Sequence, residues 1–356
     1  MADTTARTAD AAKTAVPTAN AGASRDASGR AASTGEVILK AEGLCKHFPV
    51  RSFFGRSKKA VKAVDGIDLE IHRGETFGLV GESGCGKSTL GRTLIRMYEP
   101  TAGSVWFDGT DITKIRGQQL VDIHRRMQIV FQDPYLSLDP HQNVREIIAE
   151  PLCVGHKYSA DEIDDRVAEI LDRVSLHRDD MYKFAYEFSG GQRQRIGIAR
   201  ALSVHPDFIL CDEPISALDV SIQAQVVNML EDLQHELGLT YLFVAHDLSM
   251  VRHISTRIGV MYLGRLVEVA PSDELYDNPL HPYTKALLSS IPIPDPNVAR
   301  ASQRVMLSGE LPSPLHVPEG CRFHTRCPKA CDGCSKAIPQ LREVSPGHFV
   351  ACDDLA

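Results

Sequence analysis

Three things are scarce in this 356-residue chain: long apolar runs, aromatic residues and excess positive charge. A bilayer-spanning helix needs about 20 consecutive apolar residues. The longest run here, Tyr241-Leu242-Phe243-Val244-Ala245, is long enough only for a buried strand. The chain is therefore expected not to cross a membrane itself, although it can dock onto something that does. Aromatics make up 6% of the residues and the formal net charge is −7. A general grip on nucleic acid favours a basic surface, so no nucleic-acid partner is expected. The N-terminus lacks the apolar core of 7–15 residues that an export signal requires. It is Ser-rich like a transit peptide, but Asp3, Asp10 and Asp26 oppose that reading. Nine cysteines without an export signal suggest a reducing compartment, with thiols free or bound to metal.

What is present reads as an ordinary globular α/β chain, 43% hydrophobic and 24% charged. Residues 1–36 are poor in large apolar residues and are expected to be a disordered tail. Ile67, Leu69 and Ile71 alternate with Asp68 and Glu70 at strand period. Thr76–Val80 is a short apolar strand, and Lys87 to Met97 reads as a helix. Val105-Trp106-Phe107 followed by Asp108-Gly109 reads as a strand and hairpin turn. Between 141 and 188 strand signals are missing and apolar residues recur at helical spacing, which predicts a mainly helical subdomain. Ile222, Val226, Leu230, Leu233 and Leu237 form one helix stripe, stopped at Gly238. Alternation of strands and helices implies a largely parallel sheet, so one α/β domain is expected over 37–270. From 271 to 356, prolines 279, 282, 292, 294, 296, 312, 314 and 318 break any long element. That stretch reads as an irregular extension, holding five of the nine cysteines.

The chemistry starts at Gly81-Glu82-Ser83-Gly84-Cys85-Gly86-Lys87-Ser88-Thr89, which fits G-x-x-x-x-G-K-[ST]. Glycines let backbone N–H groups wrap a phosphate, and the following helix adds its positive end. Lys87 is expected to reach the β- and γ-phosphates of ATP, and Ser88 to ligate Mg²⁺. At average residue usage the pattern arises by chance in roughly one such chain per hundred. The second half is Phe208-Ile209-Leu210-Cys211-Asp212-Glu213, a buried strand with two carboxylates at its C-terminal end, where α/β sheets place ligands. Asp212 is expected to hold Mg²⁺. Glu213 is expected to orient or deprotonate the attacking water. Ser189-Gly190-Gly191-Gln192 opens an Arg-rich helix and makes a second anion-binding end that a single phosphate site does not need. Gln132 and His246 each follow an apolar strand.

In this order the phosphate loop, Gln132, Ser189–Gln192, Asp212–Glu213, Ser216-Ala217-Leu218-Asp219 and His246 resemble the motif set of ATP-binding-cassette (ABC) ATPases, from about residue 38 to 265. The resemblance implies a P-loop cassette with a RecA-like core, an antiparallel β subdomain and a helical subdomain. It implies a head-to-tail dimer in which each ATP lies between one subunit's phosphate loop and the other's Ser189–Gln192 segment, with Asp219 in the loop between them. It makes Phe48 the aromatic that stacks on adenine. Gln132 links Mg²⁺, water and the transporter contact, and His246 contacts the γ-phosphate. Three segments are narrower: Phe131 to Pro140, Glu187 to Arg200, and Asn278 to Leu288. They resemble the dipeptide/oligopeptide importer ATPases of bacteria, most closely the F-type member of a pair of unlike ATPases. Relatives carrying nickel, glutathione or sugars share these segments. The implied partners are an unlike second ATPase, two transmembrane permease subunits and, through them, an extracytoplasmic peptide-binding protein. The implied location is the cytoplasmic face of the inner membrane.

Cys321, Cys327, Cys331, Cys334 and Cys352 lie together in sequence. Their spacing matches neither zinc ribbons nor the common ferredoxin runs, and leaves a metal site, free thiols and disulfides open. The run from Gly320-Cys321-Arg322-Phe323 to Cys352 resembles the C-terminal cysteine motif of peptide-importer ATPases. That resemblance implies a [4Fe–4S] cluster on Cys321, Cys327, Cys334 and Cys352, with Cys331 as a possible replacement for Cys334. Cys45, Cys153 and Cys211 read as buried or incidental thiols.

Overall fold

The structure is a computed structural model that describes residues 35–52, 55–154, 158–291, 309–310 and 312–354. The expected N-terminal tail, residues 1–36, lies outside them except for its last two residues.

Two sheets carry the fold. The first is antiparallel, in the order β2 (Gly55–His72), β1 (Val37–Ser52), β4 (Ala102–Phe107), β5 (Thr110–Asp111). The turn between β4 and β5 places Asp108 and Gly109 at φ 50° and 72°, the left-handed pair that a two-residue hairpin favours. The second sheet has a parallel centre. β6 (Met127–Val130), β7 (Phe208–Asp212), β8 (Thr240–Val244), β3 (Thr76–Val80) and β9 (Arg257–Tyr262) run side by side, each parallel to the next. β3, β7 and β8 are buried at every position, which explains why they read as unbroken apolar runs. An antiparallel edge follows: β10 (Arg265–Pro271), β12 (His348–Val350) and β11 (Arg342–Ser345). The last strands of the extension thus complete the sheet that carries the phosphate loop.

The helix after that loop, α1, runs Lys87–Leu94, shorter than the expected span to Met97. Arg96 takes φ 62° and turns the chain, while Ile95 stays buried. α2 (Gln118–Arg126) leads into β6, and α3 (Pro134–Ser137) follows it. Between 141 and 188 lie α4 (Val144–Cys153), α5 (Ala160–Arg173) and two short 3₁₀ turns, with one isolated bridge between Asn143 and Phe184. Asn143 and Ser159 cap α4 and α5 with reciprocal Glu146 and Glu162 bonds. α6 (Gly190–Leu202) and α7 (Val220–Leu237) follow, the latter ending at Gly238 with φ 67°. α8 (Leu248–Ile254), α9 (Ser272–Asp277) and α10 (Pro282–Ser289) complete the helices of the described residues. None of these helices is long and apolar enough to cross a membrane.

Candidate nucleotide site

β3 delivers the phosphate loop and α1 takes it away. The loop is cramped from behind. A Cβ on Gly86, whose φ is 111°, would stand 2.0 Å from the Ala63 carbonyl oxygen, and one on Gly81 would stand 2.2 Å from that of Met261. Only glycine fits at these two positions. The β9–β10 turn, Leu263-Gly264, ties the loop down from below, since Gly264 N–H donates to Cys85 O at 2.8 Å. Lys87 is 4% exposed, and its ammonium donates to the carbonyls of Gly81 (2.8 Å) and Glu82 (3.2 Å). Burial raises the Cys85 thiol above its ordinary range, so this loop cysteine stays protonated at neutral pH.

The loop floors an open cleft of ≈ 400 Å³. Ser83 to Thr89, Gln132, Glu213 and Phe48 line it, with Val61, Lys62, Ala63, Leu263 and Pro314. The Phe48 ring is half-buried, edge-on to Tyr98 at 5.7 Å, with the Lys46 ammonium 5.1 Å away.

At the end of β7, Asp212 is 1% exposed. One of its oxygens accepts from Arg92 (Nη2 at 2.9 Å, Nε at 3.1 Å). The other, Oδ1, is buried with no hydrogen-bond partner. A buried carboxylate oxygen left bare is costly unless a cation or its bound water completes it. Ser88 and Gln132 line the cleft, and with Asp212 they offer oxygen donors of the kind a hard cation such as Mg²⁺ takes.

Glu213 sits at φ 50°, rare for a non-glycine residue, and is pinned there by Glu213 N–H to Val244 O at 2.9 Å and by Ser216 Oγ–H to Glu213 O at 3.0 Å. Its carboxylate accepts from Gln132 Nε2 at 2.8 Å and lies 3.5 Å from His246 Nδ1. Gln132, Glu213 and His246, from three separate strand ends, therefore meet around one carboxylate.

Ser189, Gly190, Gly191, Gln192 and Asp219 do not line this cleft. Ser189 caps α6, accepting from Gln192 N–H at 3.4 Å, and Gln192 Oε1 accepts from Ser189 N–H at 3.0 Å. Gly190 lies against Tyr135 and Leu218, and Asp219 is the exposed residue before α7.

A family profile described as "ABC transporter" matches residues 64–216, and one described as "Oligopeptide/dipeptide transporter, C-terminal region" matches residues 267–334. The oligopeptide transport ATP-binding protein AppF of Bacillus subtilis is 53% identical over 323 residues, covering 90% of this chain and 98% of AppF. This chain belongs to the ATP-binding subunits of ABC transporters, in the oligopeptide branch. OppF of Salmonella typhimurium, another oligopeptide transport ATP-binding protein, is 49% identical over 321 residues, covering 89% of this chain and 96% of OppF. A dimeric structure of the cassette MJ0796, bound to ADP and Pi, aligns with a TM-score of 0.60 at 28% identity, over 66% of this chain and 99% of that one. As members of this family do, the ABC subunit described here hydrolyses ATP to power peptide import.

The site of this ABC subunit also has parts that motif reading missed. Arg92 holds Asp212, and Tyr283 and Arg326 from the extension hold Glu82. Tyr283 was visible only as part of the Asn278–Leu288 segment, and Arg326 only as the neighbour of Cys327. Among the described residues, Cys45, His47 and Asp65 form the one group with single-ion spacing. The Asp65 charge there is already matched by Arg322, Lys62 and Arg265, and Arg322 leads in holding its carboxyl below the ordinary range against the opposing effect of burial. That group is an ion-pair hub.

Proposed function

We propose that this ABC subunit hydrolyses ATP in a head-to-tail pair with an unlike second ATPase, each nucleotide held between one chain's phosphate loop and the other's Ser-Gly-Gly-Gln. The observation that carries this reading is the separation of the two anion cradles. The loop, Gln132 and Glu213 share one cleft, whereas Ser189 to Gln192 do not line it. A second cradle outside its own chain's cleft is explained by a neighbour's nucleotide. The dimeric likeness with bound ADP and Pi supports the arrangement.

In this reading Lys87 leaves its loop carbonyls for the β- and γ-phosphates, and Phe48 stacks on the base. Asp212, Ser88 and Gln132 would hold Mg²⁺, which neutralises phosphate charge when bound. Glu213 accepts a proton from water as the water oxygen bonds to the γ-phosphorus, and the bond to the bridging oxygen breaks to release ADP. His246, beside Glu213, meets the γ-phosphate. Dipeptides and oligopeptides are the cargo, carried by two permease subunits fed by an extracytoplasmic binding protein. The chain rides on the cytoplasmic face of the inner membrane. Supporting this, Tyr135 and Leu136, just after Gln132 in the chain, and Tyr182, Phe184 and Tyr186 of the helical subdomain are exposed apolar side chains that a permease segment could cover.

The cysteine extension fits a [4Fe–4S] cluster on Cys321, Cys327, Cys334 and Cys352. The Cys321 thiol is pushed up to about 11, first by burial and then by Cys334, Cys327 and Cys352, so the four thiols share one neighbourhood. No three of these thiols come within 4.8 Å of one another. Thiolates on one zinc ion stand about 3.8 Å apart, given Zn–S bonds of about 2.3 Å. The four thiols are thus not gathered at the spacing of a single zinc ion. Cys331 and Cys334 lie 3.2 Å apart, so one cluster iron takes only one of them. The cluster's role here is structural. Anaerobic purification should yield about four irons and four sulfides per chain; zinc alone, or no metal, overturns this assignment.

The decisive test of the ATP site is Glu213→Gln. It should bind ATP within about threefold of wild type but lose turnover by about 10²-fold or more, and accumulate as an ATP-bound dimer in light scattering. Turnover close to wild type would refute the role of Glu213.

A further inference from the structure

The extension reaches the phosphate loop directly. Arg326, one residue before Cys327, forms a two-pronged ion pair with Glu82, Nη1 to Oε2 at 2.9 Å and Nη2 to Oε1 at 3.2 Å. The Tyr283 hydroxyl accepts from Glu82 N–H at 2.8 Å. Both partners are rigidly backed. Arg326 is 8% exposed and Tyr283 is fully buried, packed with Tyr262 and Phe323 at ring distances of 4.7 and 5.4 Å. The Tyr262 hydroxyl lies beside the same guanidinium. A second route runs through Arg322, which donates to Leu263 O and to Asp65, while Gly264 next to Leu263 holds Cys85.

We propose that the C-terminal extension is a working part of the nucleotide site, and that Arg326 and Tyr283 are positioning residues that set the phosphate loop through Glu82. The physical case has two parts. Glu82 is a carboxylate within a loop that must receive a polyphosphate, and like charges at short range disfavour binding. Arg326 cancels that charge and draws it behind the loop. Tyr283 takes the Glu82 N–H out of the cradle, leaving the amides that follow to face the phosphates. A fixed fork of this kind pre-organises the loop before ATP arrives.

This inference rests on the phosphate loop being the ATP site, and its test separates the two. MgATP affinity of the full-length chain is measured with a fluorescent ATP analogue. Steady-state kcat and KM are measured in the assembled transporter. Arg326→Gln should weaken MgATP binding and raise KM by about tenfold, the scale of one charge-assisted bond, with kcat at saturation within about threefold. Arg326→Lys, which keeps the charge but not the fork, should recover part of the loss. In Glu82→Gln, adding Arg326→Gln should cost nothing further. Tyr283→Phe, which removes only the hydroxyl, should weaken binding in the same direction even if Arg326→Gln folds poorly. Binding by Arg326→Gln or Tyr283→Phe within twofold of wild type overturns the brace while leaving the ATP site intact. So do losses that multiply in the double variant. Failure of the wild type itself to bind MgATP would instead strike the ATP site.

Discussion

At the scale of single residues, the loop works because its backbone is unusual where side chains cannot follow. Gly86 has both a left-handed φ of 111° and a carbonyl where its Cβ would be. Gly86→Ala should therefore cost about 2–4 kcal/mol from strain and displacement together. It should also abolish MgATP binding, because the cradle's curvature would go with it. Calorimetric unfolding and nucleotide titration on one sample check both outcomes. Glu213 shows the opposite solution. It accepts φ 50° without being glycine, and two backbone-directed bonds keep it there, so its carboxylate is held against Gln132 and His246. Asp212 divides its labour, one oxygen on Arg92 and one bare. Of these three, only the identities of the residues were legible in sequence. The conformations arise from contacts with Ala63, Val244 and Arg92, which motif spacing does not encode.

At the scale of elements, α10 carries a pH dependence. His281 caps it, Nδ1 accepting from Tyr283 N–H at 3.1 Å, and is 1% exposed. Burial pushes its pKa down to about 4. The unfolded chain binds this proton near pH 6.5 while the folded chain does not until about pH 4. Stability from this group is thus full above pH 6.5 and is lost as pH falls toward 4, by about 2 kcal/mol at pH 5. His281→Asn keeps a capping side chain and removes the titration, so the decline in melting temperature between pH 7 and 5 should become shallower. An unchanged slope would exclude His281 as its source. Strands and helices with full burial or clean periodicity, such as β3, β8 and α7, were readable because local pattern and environment agree. α1 was read too long, because apolar spacing continues through Ile95 after the backbone has turned at Arg96. The alternation at Ile67, Leu69 and Ile71 marked only the end of β2, whose polar first half is strand because β1 pairs with it from Ser52 back to Val37.

At the scale of the whole molecule, the ATP site was legible because its motifs sit at strand ends, and a parallel sheet gathers strand ends on one side. The joining of the extension to that site was not legible. Tyr283 and Arg326 meet Glu82 across 201 and 244 residues of chain, and β12 returns to β10 from beyond the cysteine cluster. No local pattern predicts such pairings. One feature of the loop also bears on timing. The Lys87 ammonium already rests on two loop carbonyls, so the arriving nucleotide exchanges partners with a donor in place and does not have to fold the loop around itself. In the proposed pair, a neighbour's cradle would then close over a loop that is already set.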